Sequence, residues 1–349
     1  MIFPQLSGHQ TNPDGRGNGG VHHWHEPPQA LLQRMRAKLE TVLLGKPEVV
    51  RQMQIAWLAG GHVLLEDMPG TGKTMLAQAV ARAAGGEFKR IQFTSDMLPA
   101  DVVGGMVLEP RSGELVYRSG PIMANVVLAD EINRTSPRTQ SALLEAMEER
   151  RVTIEGRSKR LPIPFMLIAT QNPLSFEGTS LLPEAQLDRF MMKLSIGYPS
   201  PEDEKRLLAQ YADGKRIEPE RLRPVMTAQE WLQMQAEARQ AHVHPALLDY
   251  MAQAAAAVRR APETLLALSP RALRDWLRAA QASAYAEGRG YVIPDDVLGT
   301  AAAVLPHRLV LRSGARRTGL DASAWLEHVL RNTAFPKEAG SVNGSRYAR

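Results

Sequence analysis

Asp67-Met-Pro-Gly-Thr-Gly-Lys-Thr74 follows a short apolar run, His62-Val-Leu-Leu-Glu66, and leads into an Ala-rich helical stretch from Met75 to Ala84. That strand–loop–helix context is what a phosphate-binding P-loop requires, and an ordinary glycine-rich turn does not supply it. Gly70 and Gly72 let the backbone aim successive N–H groups at phosphate oxygens with no Cβ intervening. Lys73 brings a point charge to the terminal phosphates, and the Thr74 hydroxyl is the expected ligand of Mg2+. The residues expected to wrap a nucleotide are Pro69, Gly70, Thr71, Gly72, Lys73, Thr74 and Met75, with the dipole of the following helix adding to the attraction. Asp67 stands where GxxxxGK[ST] loops carry their first glycine.

Downstream, Val126-Val-Leu-Ala-Asp130-Glu131 reads as an apolar strand ending in two carboxylates. Beside a P-loop, Asp130 would support Mg2+ through its water shell and Glu131 would orient or deprotonate the attacking water. Adjacent strand residues point to opposite sides, but a turn at the last residue lets both face one cleft. Acids decorating a helix N-terminus are the competing reading, and the upstream P-loop favours catalysis. Phe165–Gln171 delivers Asn172 to the end of a further apolar strand, where a neutral amide can meet a phosphate or a water without adding negative charge. Asn172-Pro173 alone is equally a turn signal. Arg189, in Leu187-Asp-Arg-Phe190, suits either the charge that spreads over a transferring phosphoryl group or a surface ion pair.

Short apolar runs recur at Val63–Leu65, Phe88–Phe93, Val126–Ala129, Phe165–Ala169 and Met191–Ile196. Each is too short for a helix and most do not alternate, as expected of parallel strands buried on both faces. Helices are expected from Gln29, over about 48–58, and from Ser136-Pro137 through Glu149. Two hairpins are expected, around Pro110-Arg-Ser-Gly113 and around Glu155-Gly-Arg-Ser158. Past Tyr198 the strands stop. Ser200-Pro201, Thr227-x-x-Glu230 and Ser269-Pro270 each mark a helix start in a bundle of five or six helices. The expected division is a loosely attached tail over 1–28, an α/β nucleotide-binding domain over 29–198, a helical domain over 199–334 and a polar tail over 335–349. His22-His-Trp-His25 lies in the first tail and lacks a fourth metal ligand, so a polar tail is the expected reading.

The 349 residues contain 44% hydrophobic and 23% charged residues, an ordinary soluble composition. Cysteine is absent, which excludes disulfides, thiolate metal sites and cysteine nucleophiles and suits a reducing cytosol. No apolar run is long enough for a transmembrane helix, and Met1 to Glu26 lack a secretory pattern, so a cytoplasmic location is expected. The net charge of +5 is mild, and no basic stripe interleaved with aromatics signals nucleic acid.

Together these residues resemble the AAA+ ATPases, and within them the MoxR family. The resemblance spans roughly 29–333 and rests on 61–74, Leu128-Ala-Asp-Glu-Ile-Asn-Arg134, 139–148, Ala169-Thr-Gln-Asn-Pro173, 182–190, Ser269-Pro-Arg-Ala272 and His307-Arg-Leu309. Asp67 is usual in that family. The resemblance implies an α/β P-loop core with a five-stranded parallel sheet, followed by an all-α lid. By position, Lys73 and Thr74 match Walker A, Asp130 and Glu131 match Walker B, and Asn172 matches sensor 1. Arg189 matches an arginine finger that enters the neighbouring subunit's site, and Arg271 matches sensor 2, in its own site or a neighbour's. Gly45 falls where the family's chain runs near the adenine, and the hairpins match inserts facing the pore or substrate. ATP and Mg2+ as cofactors, assembly into a ring (a hexamer) and chaperone-like remodelling of a client with a separate von Willebrand factor A-domain partner are implied in the same way. A nucleic-acid-stimulated motor of the same clade is the alternative, since the second hairpin tip is basic; a non-enzymatic switch is disfavoured by the intact carboxylate pair.

Overall fold

The computed structural model describes residues 24, 26–172, 182–214, 218–312 and 321–334. Its centre is a five-stranded, all-parallel sheet in the order β2 (Phe88–Gln92), β5 (Val126–Asp130), β8 (Met166–Gln171), β1 (Val63–Glu66), β9 (Met192–Leu194). The five apolar runs read from the sequence are these five strands. Alternate residues of each strand feed separate cores. Val63, Leu65, Val126, Leu128, Met166 and Ile168 face one apolar cluster, while Leu64, Val127, Ala129, Leu167 and Ala169 face the other. Because both faces are covered, the three central strands β5, β8 and β1 carry little polar sequence until their carboxyl ends, whereas edge strand β2 exposes Lys89 and Arg90. At the carboxyl ends Glu66 sits beside Gln171, and Gln92 beside Asp130, in register.

Helices α1 (Pro28–Val42), α2 (Pro47–Ala59) and α3 (Lys73–Ala83) cover the first face. The second is covered by α4 (Pro99–Val103) and α5 (Pro137–Glu149). Helix α5 starts as its sequence dictates: Ser136 is the N-cap, its hydroxyl accepts the Thr139 N–H, and Pro137 occupies the first turn. The expected hairpins are β3 (Gly104–Leu108) with β4 (Leu115–Ser119), and β6 (Arg151–Ile154) with β7 (Arg157–Arg160). They touch where the Lys159 ammonium lies 4.6 Å from the centre of the Tyr117 ring.

After the short α6 (Glu184–Leu187) and β9, the described chain is mainly helical: α7 (Pro201–Ala212), α8 (Ala228–Ala238), α9 (Pro245–Arg260), α10 (Pro270–Ala286), α11 (Pro294–Val304) and α12 (Ala322–Asn332). Ser200, Thr227 and Ser269 cap α7, α8 and α10. One expectation needs correction, because strands do not stop at Tyr198. Thr264–Leu266 (β10) pairs antiparallel with Val310–Leu311 (β11), a ladder too short to leave a periodic signal. The helical region is not an appendage. It shares the first core, where Trp231 stacks on Trp57 at 5.0 Å and donates its indole N–H to the Trp57 carbonyl at 3.3 Å. Both rings are fully buried, and truncating either to alanine would cost about 3–5 kcal/mol. Among the described residues no helix is long and apolar enough to cross a membrane. The tails over 1–23 and 335–349, with His22 and His23, lie outside the described residues, as does His25.

Candidate nucleotide site and a second arginine-lined cavity

The P-loop sits at the carboxyl edge of the sheet, between β1 and α3. Gly70 and Gly72 have φ of 84° and 96°, a region that glycine enters at little cost. A cavity of about 380 Å3 is lined by 69–75 together with Asp130, Glu131 and Asn172. Asp67 also lines this cavity, with its carboxylate engaged by the chain that leaves β9. Its carboxylate accepts the Ser195 hydroxyl at 2.8 Å, the Gly197 N–H at 3.1 Å and the Ile196 N–H. It thus ties the start of the loop to the chain leaving β9, a task that glycine has no atoms to perform.

Lys73 donates to the carbonyls of Asp67 at 2.9 Å and Met68 at 2.8 Å. Burial lowers its pKa, opposed by Asp67, Asp130 and Glu131. A phosphate in the cavity would replace two weak carbonyl acceptors with strong anionic ones.

Asp130, 8% exposed, ends the fully buried β5. One oxygen accepts the Thr170 hydroxyl at 2.6 Å, and the other accepts Arg90 through Nη2 at 2.6 Å and Nε at 3.1 Å. Glu131 then adopts φ 56° and ψ 48°, left-handed for a residue with a side chain, at a cost of about 1–3 kcal/mol. That turn swings its carboxylate into the cavity that Asp130 lines. Thr170 secures it by accepting the Glu131 N–H at 2.8 Å, while the carboxylate accepts Gln92 Nε2 and Arg134 Nη1, both at 2.8 Å. Thr74 and Asp130 offer hard oxygen donors within one cavity. A hydroxyl and one carboxylate suit Mg2+, which keeps much of its shell as water and phosphate oxygens.

A second, adjoining cavity of about 140 Å3 shares Gly70, Thr71 and Gly72 with the first and is walled by Leu43, Met75 and Tyr211 among others. Its apolar lining and position fit a purine base. Gly45 does not line it, although Leu44 and Lys46 on either side do. With φ of 72°, Gly45 is packed so closely on Asp203 that a Cβ would overlap its carboxylate.

Arg189 and Arg271 are brought together, but not at the P-loop. Both line a separate cavity of about 170 Å3 that shares no residue with the nucleotide cavity. Arg189 Nε lies 3.2 Å from one oxygen of Glu148, and Arg271 bonds the other. Buried Arg308 anchors the loop behind them by donating to the Phe190 carbonyl at 2.7 Å and to Asp275 at 2.8 Å.

Reading the sequence alone missed Arg90, Gln92, Arg134, Thr170 and Glu148. Arg90 and Gln92 left a faint trace as polar residues two apart in an edge strand, and Thr170 as a hydroxyl at the end of a buried one. Glu148 left none.

Residues 62–192 match the ATPase family associated with various cellular activities, and residues 251–328 match the AAA lid domain. A Bacillus subtilis protein named Uncharacterized protein YeaC is 43% identical over 91% of this chain and 99% of that protein. Chaperone MoxR1 of Mycobacterium tuberculosis is 38% identical over 96% of this chain and 92% of its own length. The crystal structure of a candidate ATPase from Cytophaga hutchinsonii superposes with a TM-score of 0.82 at 32% identity, covering 89% of this chain and 96% of that one. Sheet order, P-loop, paired acids at the end of β5 and these relatives agree: the chain belongs to the MoxR family of AAA+ ATPases.

Proposed function

We propose that the chain hydrolyses ATP with Mg2+ as part of a ring of identical subunits, a hexamer by family resemblance, and uses the cycle to remodel a client protein. One observation carries this reading. Lys73, Thr74, Asp130, Glu131 and Asn172 share one cavity, while Arg189 and Arg271 line another. The one guanidinium that lines the nucleotide cavity among the described residues, Arg90, is held by Asp130, so a free one for the transferring phosphoryl group would come from a second copy.

In this reading Lys73 leaves its two backbone carbonyls for the β- and γ-phosphates, and the P-loop N–H groups hold the remaining oxygens. Thr74 and Asp130 are the oxygen donors that would hold Mg2+, whose charge offsets that of the phosphates. Glu131 takes a proton from water as its oxygen attacks the γ-phosphorus, and the bond to the β–γ bridging oxygen breaks to release ADP. Asn172 orients the same water or a γ-oxygen. Arg189 and Arg271 of the adjacent subunit meet the charge spread over the equatorial oxygens. The client, and a von Willebrand factor A-domain protein acting beside it, would be separate polypeptides. The names of the relatives, chaperone among them, support a protein client over nucleic acid.

The test mixes two inactive variants. Lys73→Ala subunits keep the arginine face but lose tight nucleotide binding, and Arg189→Ala subunits keep the nucleotide site but lack the finger. Mixed assemblies should recover ATPase activity that neither variant shows alone. No recovery in hetero-assemblies that demonstrably form would refute action across the interface.

A further inference from the structure

Glu148 occupies the last turn of α5, and its backbone is held firmly. The neighbouring Met147 carbonyl bonds His62 Nε2 at 3.2 Å, and His62 Nδ1 accepts the Leu167 N–H at 2.9 Å. Just after the helix, Arg150 donates to the Gly60 carbonyl at 3.1 Å. From this fixed base the Glu148 carboxylate reaches two arginines on different elements. Arg189 belongs to the loop before β9, and Arg271 lies in the first turn of α10.

Two guanidiniums converging on one point repel each other, and a shared carboxylate offsets that repulsion while fixing their spacing. The other carboxylate lining this cavity, Asp275, is engaged by Arg274 and Arg308. The manner of contact matters too. Glu148 meets Arg189 most closely at Nε rather than at a terminal nitrogen, the geometry that lets the terminal pair take a bidentate phosphate contact. Glu148 is also half-open to solvent, with 40% of its side chain exposed, so an incoming phosphate can approach the pair it holds.

We infer that Glu148 is a positioning residue for the neighbouring subunit's hydrolysis: it presets Arg189 and Arg271 as one two-pronged receptor for the γ-phosphate. The inference rests on the reading above that these two arginines act across the subunit interface. It makes Glu148 necessary for turnover in the adjacent subunit and dispensable for nucleotide binding in its own.

The test compares Glu148→Gln, Arg189→Ala and wild-type protein, each full length, for affinity toward a fluorescent ATP analogue and for turnover. E148Q should bind the analogue within about two-fold of wild type and lose turnover by about ten-fold or more, a loss in kcat rather than KM. Mixing E148Q with Lys73→Ala subunits should restore activity, because the latter lend an intact arginine pair. Mixing E148Q with Arg189→Ala subunits should not, because both lack the same face. Wild-type or raised turnover in E148Q beside an inactive R189A overturns the positioning role alone. Wild-type turnover in both overturns the finger reading and this inference with it. Recovery in the E148Q and R189A mixture overturns it as well, since the two residues would then serve different faces.

Discussion

Asp188 accepts the Ser269 hydroxyl on both of its carboxylate oxygens, at 3.0 and 3.1 Å. Ser269 is the N-cap of α10, so the residue before Arg189 is fastened to the start of the helix that carries Arg271. Arg308 reinforces the joint from inside, between the Phe190 carbonyl and Asp275 of α10. The loop bearing one candidate phosphate ligand and the helix bearing the other are therefore one mechanical unit.

The stability of that unit depends on a buried charge pair. Side-chain exposure is 1% for Arg308 and 6% for Asp275. Asp275→Ala would strand a buried guanidinium, and we expect it to lower stability by about 3–5 kcal/mol. Urea denaturation followed by tryptophan fluorescence reads this directly, since Trp276 lies next to Asp275 in the core. An unchanged midpoint would mean that Asp188, 3.5 Å from Arg308, balances the charge by itself.

Replacement of Glu131 by Gln should separate binding from hydrolysis. The amide keeps the side chain's size and its left-handed backbone but cannot accept a proton from water. Turnover should fall by about 10²–10⁴-fold while nucleotide affinity holds. Single-turnover measurements with saturating ATP check this, and a variant with wild-type turnover would remove Glu131 from the proton-transfer step.

Arg90 competes for the carboxylate that Mg2+ is proposed to need. Its guanidinium bonds Asp130 twice and is half-exposed, so the charge is easily displaced but never far away. Arg90→Ala should lower the Mg2+ concentration giving half-maximal ATPase activity by about two- to five-fold, the size expected of a partly screened charge. A higher requirement would instead show that Arg90 orients Asp130 for the metal.

What could be read in advance divides along physical lines. Val126–Asp130 and Met166–Gln171 were legible because a strand buried on both faces needs continuous apolar sequence. Ser136, Ser200, Thr227 and Ser269 were legible because capping is local chemistry, settled within four residues. The placement of both acids toward one cavity depended on Glu131 turning left-handed, which its position at a strand end suggested. Arg90 and Gln92 escaped because they act through the register of β2 against β5, a relation between segments far apart in the chain. Glu148 resembles any solvent-facing glutamate of an amphipathic helix until α10 and the Arg189 loop are folded against it. The β10–β11 ladder was hidden by its length alone.

Two buried histidines make the fold acid-sensitive in a defined window. Burial pushes His62 down to about 3, with Arg150 adding to the shift and the Met147 carbonyl and Asp275 opposing it. His307 is likewise pushed to about 3, first by burial and then by Arg308 and Lys193, with the Phe190 carbonyl opposing. Unfolded, both would titrate near the ordinary histidine value of about 6.5. Between those limits the unfolded chain binds protons that the folded chain refuses, so stability is complete above pH ~6.5 and declines as pH falls toward ~3. Lowering the pH from ~7 to ~5 should cost about 2 kcal/mol for each histidine. Urea midpoints measured across that range give the slope. His307→Gln, which carries no proton in either state, should remove about half of it. A slope indifferent to this substitution would place the acid sensitivity in the carboxylates instead.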